Sequence, residues 1–324
     1  MRVTENMNFD LSRDTLSKSR GKMARLQEQA ASTRRLTTPS DDPVGATKVL
    51  EIRTDRMNAE QFITNAKLAE NFLSNSEAAL GEVGDLIVRA KEIALGQSSG
   101  ASANPQTRIA VAEEVNHLYQ QAVAAANRRI GDRYLFGGYK TTQAPFDPQG
   151  NYRGDDGQMM VEISRDVFLG MNIPGIEAFN TRPQVARALG LSPEDGQMAP
   201  GRGPASAGSP EPENINLFDE LQSLRIGLLS GNTELIQGSL DRFDQLHTQV
   251  TSARAMLGSR MQGLSSATQS QERQVVTGAS LSSTLEDADM AQVMSDLARE
   301  ETVFRGALAS SQKLIQPTLL DFLR

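Results

Sequence analysis

The sequence predicts a mainly α protein: a long antiparallel helical bundle, or coiled-coil rod, formed by the N- and C-terminal halves, with a small β-rich insert between them. Three observations predict it. Apolar residues recur at alternating three- and four-residue steps along both halves, the spacing that lines one face of a packed helix. Between them lies one segment that concentrates prolines, glycines and short alternating runs, the pattern of strands and turns. Aromatic residues make up only 5% of the 324, with no Trp, which is too little for a broad core and suits a narrow seam of Leu, Ile, Val, Met and Ala.

The first forty residues carry a thin apolar face of Val3, Met7, Leu11, Leu16, Met23, Leu26 and Ala30 among many Ser, Thr, Arg and Asp residues. A helix so poor in apolar contacts is marginal alone and needs a partner. Thr38-Pro39-Ser40-Asp41-Asp42-Pro43 breaks it: an Asp or Ser there caps a new helix, and Pro43 suits its first turn. From Val44 to about Leu95 the seam strengthens through Val49, Ile52, Arg56, Ala59, Ile63, Ala66, Glu70, Leu73, Leu80, Val83, Ile87, Ala90 and Ala94. At 1.5 Å per residue such a stretch is a rod of about 75 Å. A loop at 96–105 leads to a helix expected over 105–135, with Ile109, Ala112, Val115, Tyr119, Val123, Ala126 and Ile130 on one face.

At Tyr134-Leu135-Phe136-Gly137-Gly138-Tyr139 the character changes. Runs such as 159–163 and 167–169 read as strands, Asp155-Asp156-Gly157 as a hairpin turn, and 192–213 as a flexible loop rich in Pro, Gly, Ser and Ala. Helix resumes at Leu217 and runs, with a break near Gly231, to about residue 278, its seam holding Leu240, Phe243, Leu246, Val250, Ala253, Leu257, Met261, Leu264 and Val275. A last helix follows, with Met290, Met294, Leu297, Glu301, Phe304, Leu308, Ser311, Ile315, Thr318 and Phe322 in a four-three rhythm. The expected organisation is terminal helices at 1–43 and 279–324, a helical rod domain at 44–135 and 214–278, and the β-rich insert at 136–213.

The chemistry of an enzyme is not written here. A net charge of −7 argues against nucleic acid as the main partner. The absence of Cys excludes disulfides, thiolate metal sites and cysteine nucleophiles, and fits a chain passing from a reducing to an oxidising compartment. No apolar run reaches the roughly 20 residues of a membrane span, and the first residues lack the unbroken apolar stretch of a secretory signal. His117 and His247 sit in helical patterns and read as ordinary helix residues. Asp41-Asp42 and Asp155-Asp156 stand in turns, where local hydrogen bonding explains them better than a metal does. Arg153-Gly154-Asp155 spells an adhesion tripeptide but falls in a turn where such a triplet occurs by chance. The acidic run Leu285–Asp289 suits the first turn of the last helix. We therefore expect no cofactor and no metal.

The terminal helices are the informative feature. Leu314, Leu319, Leu320 and Leu323 add apolar surface off the last helix's main row, and surface of that kind asks for neighbours. Val3, Met7, Leu11, Met294, Leu297, Phe304, Leu308, Ile315, Leu319 and Phe322 are the candidate interaction residues.

Several motifs also resemble a known family. Ser40-Asp41-Asp42-Pro43-Val44-Gly45 after a polar helix, Arg254-Ala255-Met256-Leu257-Gly258-Ser259-Arg260, and the stretch from Leu285 to Leu323 are similar to the flagellin superfamily. The Ser-Asp-Asp-Pro-Val-Gly form at 40–45, and Tyr134–Tyr139, Pro145-Phe146 and Tyr152–Gly157, resemble its hook–filament junction members more than its filament flagellins. The resemblance covers nearly the whole chain except roughly 165–213. It implies terminal helices buried in an axial structure, a homo-oligomeric ring between hook-associated protein 1 and the flagellin filament, export through the flagellar type III pathway without a cleaved signal, and an export chaperone that holds the last helix. Filament flagellin itself, or a coiled-coil scaffold or signalling protein outside the flagellum, are the alternatives; the latter lacks a receptor-type hairpin tip or a membrane anchor.

Overall fold

A computed structural model describes residues 2–98, 104–180 and 215–322. In chain order the elements are α1 (Arg2–Ser32), α2 (Pro43–Ser98), α3 (Pro105–Ala126), β1 (Arg129–Ile130), β2 (Arg133–Tyr134), β3 (Met160–Ser164), β4 (Val167–Gly170), α4 (Gly175–Phe179), α5 (Leu217–Ser230), α6 (Thr233–Glu286) and α7 (Met290–Phe322). They form two compact units: residues 1–60 with 272–324, and residues 61–271. The division falls inside α2 and α6, whereas the sequence suggested boundaries at helix breaks. None of the described helices is long and apolar enough to cross a membrane.

In the second unit α2, α3, α5 and α6 pack around one core. On α2 the buried row is Ala66, Ala69, Leu73, Ser76, Leu80, Val83, Ile87, Ala90 and Ala94, an unbroken alternation of three and four. Ala69, not Glu70, is the seam residue. Glu70 stays exposed, because a carboxylate buried without a partner loses its hydration for nothing. Ser76 is tolerated in the seam because its hydroxyl donates to the Phe72 carbonyl at 2.8 Å. Opposite lie Phe243, Leu246, Val250, Ala253, Leu257 and Leu264 of α6, as the periodicity predicts. Cross-links Glu77–Arg254 (2.6 Å) and Lys91–Asp244 fix the two helices as antiparallel.

Three sequence expectations are corrected. The helix from Pro105 stops at Ala126, well short of 135: Asn127 caps it, and the side-chain amide of Asn127 then exchanges hydrogen bonds with Phe146, accepting from its N–H (3.0 Å) and donating to its carbonyl (2.9 Å). Ile130 therefore lies in the two-residue hairpin β1–β2, turned by Gly131 at φ +56°. The second hairpin turns at Arg165-Asp166, between β3 and β4, not at 155–157. Asp155 instead accepts from the N–H groups of Tyr139 (2.6 Å) and Gly157 (3.0 Å), tying two loops together. Finally, α6 runs past Gly278 to Glu286. Gly278 lies in its seam, where an added Cβ would stand 3.6 Å from Ile52. The loop expected at 192–213 lies outside the described residues.

The insert is pinned to the helices by specific bonds. Asn172, fully buried, accepts from the Met159 N–H at 2.7 Å and donates to the Gly157 carbonyl at 3.1 Å. Arg260 of α6 donates to the Asn172 and Gly170 carbonyls at 2.8 and 3.3 Å, and Asn65 of α2 donates to the Glu162 carbonyl at 3.0 Å.

Candidate assembly face

In the first unit α1 and α7 pair with each other. Ser12, Leu16, Ser19, Met23, Leu26 and Ala30 turn inward from α1; Val293, Leu297, Glu300, Phe304, Ala307 and Ser311 turn inward from α7. Both rows keep a strict four-three alternation, so the pair is an antiparallel two-stranded coil. Its seam is weak in apolar material: four of twelve positions are Ser or Glu. Ser19, 5% exposed, donates to the Glu300 carboxylate at 2.8 Å. Slipping either helix by a turn would leave that carboxylate facing apolar side chains, so the pair selects one register.

The candidate residues divide across this geometry. Leu297 and Phe304 are half-buried in the seam, whereas Met294 (54% exposed) and Leu308 (40%) stand one position to its side, in line with Glu301. On α1, Leu16, Met23, Leu26 and Ala30 face the seam, while Met7 (65%) and Leu11 (66%) point away from it. The side chains of Val3, Ile315, Leu319 and Phe322 lie outside the described residues. The apolar arc of α7 is thus wider than α1 covers. One half closes against α1, and the half carrying Met294 and Leu308 remains open. Sequence reasoning missed Ser12, Ser19, Glu300 and Ala307, since Ser, Glu and Ala carry little apolar signal, and passed over Val293 in favour of its neighbour Met294; the four-three spacing alone could have found them.

Where α1 gives way to α2, and α6 to α7, the two connections are bonded to each other. Arg35 donates its backbone N–H to the Glu286 carbonyl (2.6 Å) and its guanidinium to the Leu285 carbonyl (2.9 Å), and the Ala288 N–H donates to the Thr33 carbonyl (3.0 Å). Thr33 takes a left-handed φ of +58° to make this approach. The Glu286 carboxylate is gripped by Arg53 of α2, by Ser282, and at 3.9 Å by Arg34. The acidic run 285–289 is therefore split: Glu286 closes α6, and only Asp289 caps α7, accepting from the Ala291 and Gln292 N–H groups. Burial raises the Glu286 pKa, but Arg53, Ser282 and Arg34 together hold it below its ordinary value of 4.5. A carboxylate depressed in this way stabilises the clasp above its unfolded value, and that stabilisation is lost as pH falls through the lower folded value. Amide exchange at Arg35 and Ala288, measured against the intrinsic rate at each pH, should lose its protection below about pH 4.5 in the native chain. In Glu286→Gln it should be fast already at neutral pH. Equal protection in both proteins at pH 7 would show that the backbone bonds alone hold the clasp.

The other acidic pairs serve the backbone. Asp41 accepts from the Thr38 N–H (3.0 Å) and Thr37 hydroxyl (3.2 Å), which lowers its pKa; Asp42 accepts from the Gly45 N–H at 2.9 Å. Both histidines are exposed on helices. Among the described residues no three acidic or His side chains gather as metal ligands would.

A paired set of terminal helices, long helices continuing from them, and a small hairpin insert held between the two halves define a flagellin-type fold. Residues 3–141 match the bacterial flagellin N-terminal helical region and residues 240–323 the bacterial flagellin C-terminal helical region. The chain belongs to the flagellin superfamily. It is 26% identical to flagellar hook-associated protein 3 of Salmonella typhimurium over 183 residues, 56% of this chain and 57% of that protein, so the match spans little more than half of the relative. It is 22% identical to a flagellin of Listeria monocytogenes over 299 residues, 92% of this chain and 90% of the relative. In fold it is similar to flagellar hook-associated protein 3 of Legionella pneumophila, with a TM-score of 0.58, 18% identity, and coverage of 73% of this chain and 98% of that one.

Proposed function

We propose that the protein is a structural subunit of the bacterial flagellum, placed at the junction between hook and filament, where it forms a ring joining hook-associated protein 1 to flagellin. The observation that carries this reading is the α1–α7 pair: a weak, register-selecting coil at the two ends of the chain, with an apolar row on α7 left open for neighbours. The motifs at 134–157 support the junction over the filament. In this chain they interlock, with Leu135 and Phe136 fully buried and the Tyr152 hydroxyl donating to the Phe136 and Asp155 carbonyls at 2.9 and 2.6 Å. The same reading makes the chain a non-catalytic protein exported through the flagellar type III route, with a chaperone covering the open row of α7 beforehand.

The longer alignment to a flagellin favours a second reading, in which the chain is the filament subunit itself. Deleting the gene separates the two. A junction subunit predicts cells with intact hooks, no filaments, and flagellin shed into the medium. Filaments of normal length on the deletion strain would end the proposal, and hooks with no shed flagellin would favour the filament reading.

A further inference from the structure

Between Asp14 and Glu28, α1 carries Lys18, Arg20, Lys22 and Arg25 and no acidic residue, in a chain whose net charge is −7. Lys18, Lys22 and Arg25 follow i, i+4, i+7 spacing and make one row along the helix. With Gly21 and the exposed Val303 they line a shallow groove between α1 and α7. Among the described residues Lys18 is paired with Asp14 of its own helix at 2.7 Å, Arg25 has a longer-range attraction to Asp41, and Lys22 makes no ion pair. An added Cβ at Gly21 would meet nothing within 4 Å, so the groove has room for a neighbour.

One carboxylate, Glu300, lines the same groove and is held by Ser19; a larger acidic group lies elsewhere in the same unit. Glu286, Asp287 and Asp289 crowd into the α6–α7 turn; Arg53 engages the first, and the other two are exposed. The Ser19–Glu300 contact sets Lys22 across from the region of Leu297. That is some nine residues of helix from the acidic turn, or about 14 Å at 1.5 Å per residue. Within one chain Lys22 and Asp287 stand too far apart to pair. Two copies lying side by side in the same direction, staggered by that distance, would bring them together.

We propose that the Lys18–Lys22–Arg25 row of one copy docks on the Asp287–Asp289 turn of the next, and so sets the axial stagger between neighbouring subunits. This rests on the assembly reading above and names its contact. Both groups are exposed, so salt screens the attraction, and its contribution is to encounter and register more than to holding strength.

The chain contains no cysteine, which allows a direct test. Lys22→Cys combined with Asp287→Cys, in the full-length chain expressed in cells lacking the native gene, should give a ladder of covalent multimers when sheared flagella are oxidised. Each single variant should give dimers at most. A bridge within one chain is excluded, since a disulfide needs Cα atoms within about 7 Å. A charge exchange checks the contact independently. Lys22→Glu with Arg25→Glu, and Asp287→Lys with Asp289→Asn (Asn keeps the helix cap), should each reduce filaments per cell roughly tenfold, and all four changes together should restore them. Flagella that contain the double-cysteine protein but yield no ladder overturn this contact and leave the assembly reading standing. Absence of the unmodified protein from sheared flagella overturns the assembly reading itself. Loss in both charge variants without restoration in the combination overturns the contact and assigns the basic row to a different acidic protein.

Discussion

Leu308→Asp should abolish filament growth on the hook while leaving the fold of residues 61–271 unchanged. Leu308 stands beside the α1–α7 seam, 40% exposed, and no residue of the second unit's core depends on it. In the isolated chain a surface exchange of this kind costs no more than about 0.5 kcal/mol. In an assembled neighbour contact the same carboxylate is desolvated without a partner, which costs several kcal/mol or forces the contact open. Helical content and the urea midpoint of the second unit should therefore match the native protein, with motility lost and chaperone binding weakened. Phe304→Asp is the control. It lies in the seam, so it should separate α1 from α7 and expose both to limited proteolysis, a defect that Leu308→Asp should lack. Motile cells with filaments of normal length on the Leu308→Asp background would show that the open row of α7 is not the assembly surface.

The long seams of α2 and α6 were legible in the sequence because helix–helix packing repeats one physical demand every three or four residues. Where that demand is relaxed, the reading slips. Between Met290 and Leu308 the apolar residues of α7 span two adjacent rows. Periodicity identifies an apolar face but does not say which edge α1 will occupy, so Met294 and Leu308 read as equivalent to Leu297 and Phe304. In α1 the inward row includes Ser12 and Ser19, and Ser19 becomes a seam residue because Glu300 stands across from it on the other helix. Ile130 continued the helical rhythm of α3, and nothing local announced that Asn127 would end it. The side chain of Asn127 bonds to Phe146, nineteen residues on, a tertiary contact outweighing helix propensity. Gly278 misled in the opposite way. Glycine usually marks a helix end, yet here it sits inside α6 facing Ile52 of α2, where even an added Cβ would make only an ordinary contact.

The clasp at Glu286 lay beyond sequence reasoning for a related reason. Its partners Arg34, Arg35 and Arg53 come from the first sixth of the chain, while Glu286 stands in a run of acids that local rules assign to the next helix. Only the fold, by bringing both helix breaks together, turns that run into two separate devices, one closing α6 and one opening α7.

Phe146→Ala should produce the largest loss of stability in the second unit. Phe146, 2% exposed, is the hub of an aromatic cluster, with ring centroids 4.9 Å from Phe218, 5.1 Å from Tyr152 and 5.2 Å from Phe179. Phe179 in turn meets Phe136 edge-on at 5.2 Å. The cluster draws one residue from the end of α4, one from α5, and the rest from the loops that follow α3, so it joins the insert to the helices. Those loops come in closely. A Cβ at Gly175 would stand 2.8 Å from the Phe146 ring, and one at Gly150 would stand 2.4 Å from the Phe218 side chain. With backbone so tightly apposed, the surroundings have little freedom to collapse into the space a lost ring leaves, and the cavity term adds to the lost transfer energy. The expected cost is about 3–5 kcal/mol, read as a lower urea midpoint for the second unit with an unchanged slope. Tyr152→Phe should cost far less, since it keeps the ring and removes only the hydroxyl bonds to the Phe136 and Asp155 carbonyls. A loss below about 1 kcal/mol for Phe146→Ala, far under that range, would mean that the bonds of Asn127, Asn172 and Arg260 hold the insert without help from the aromatic cluster.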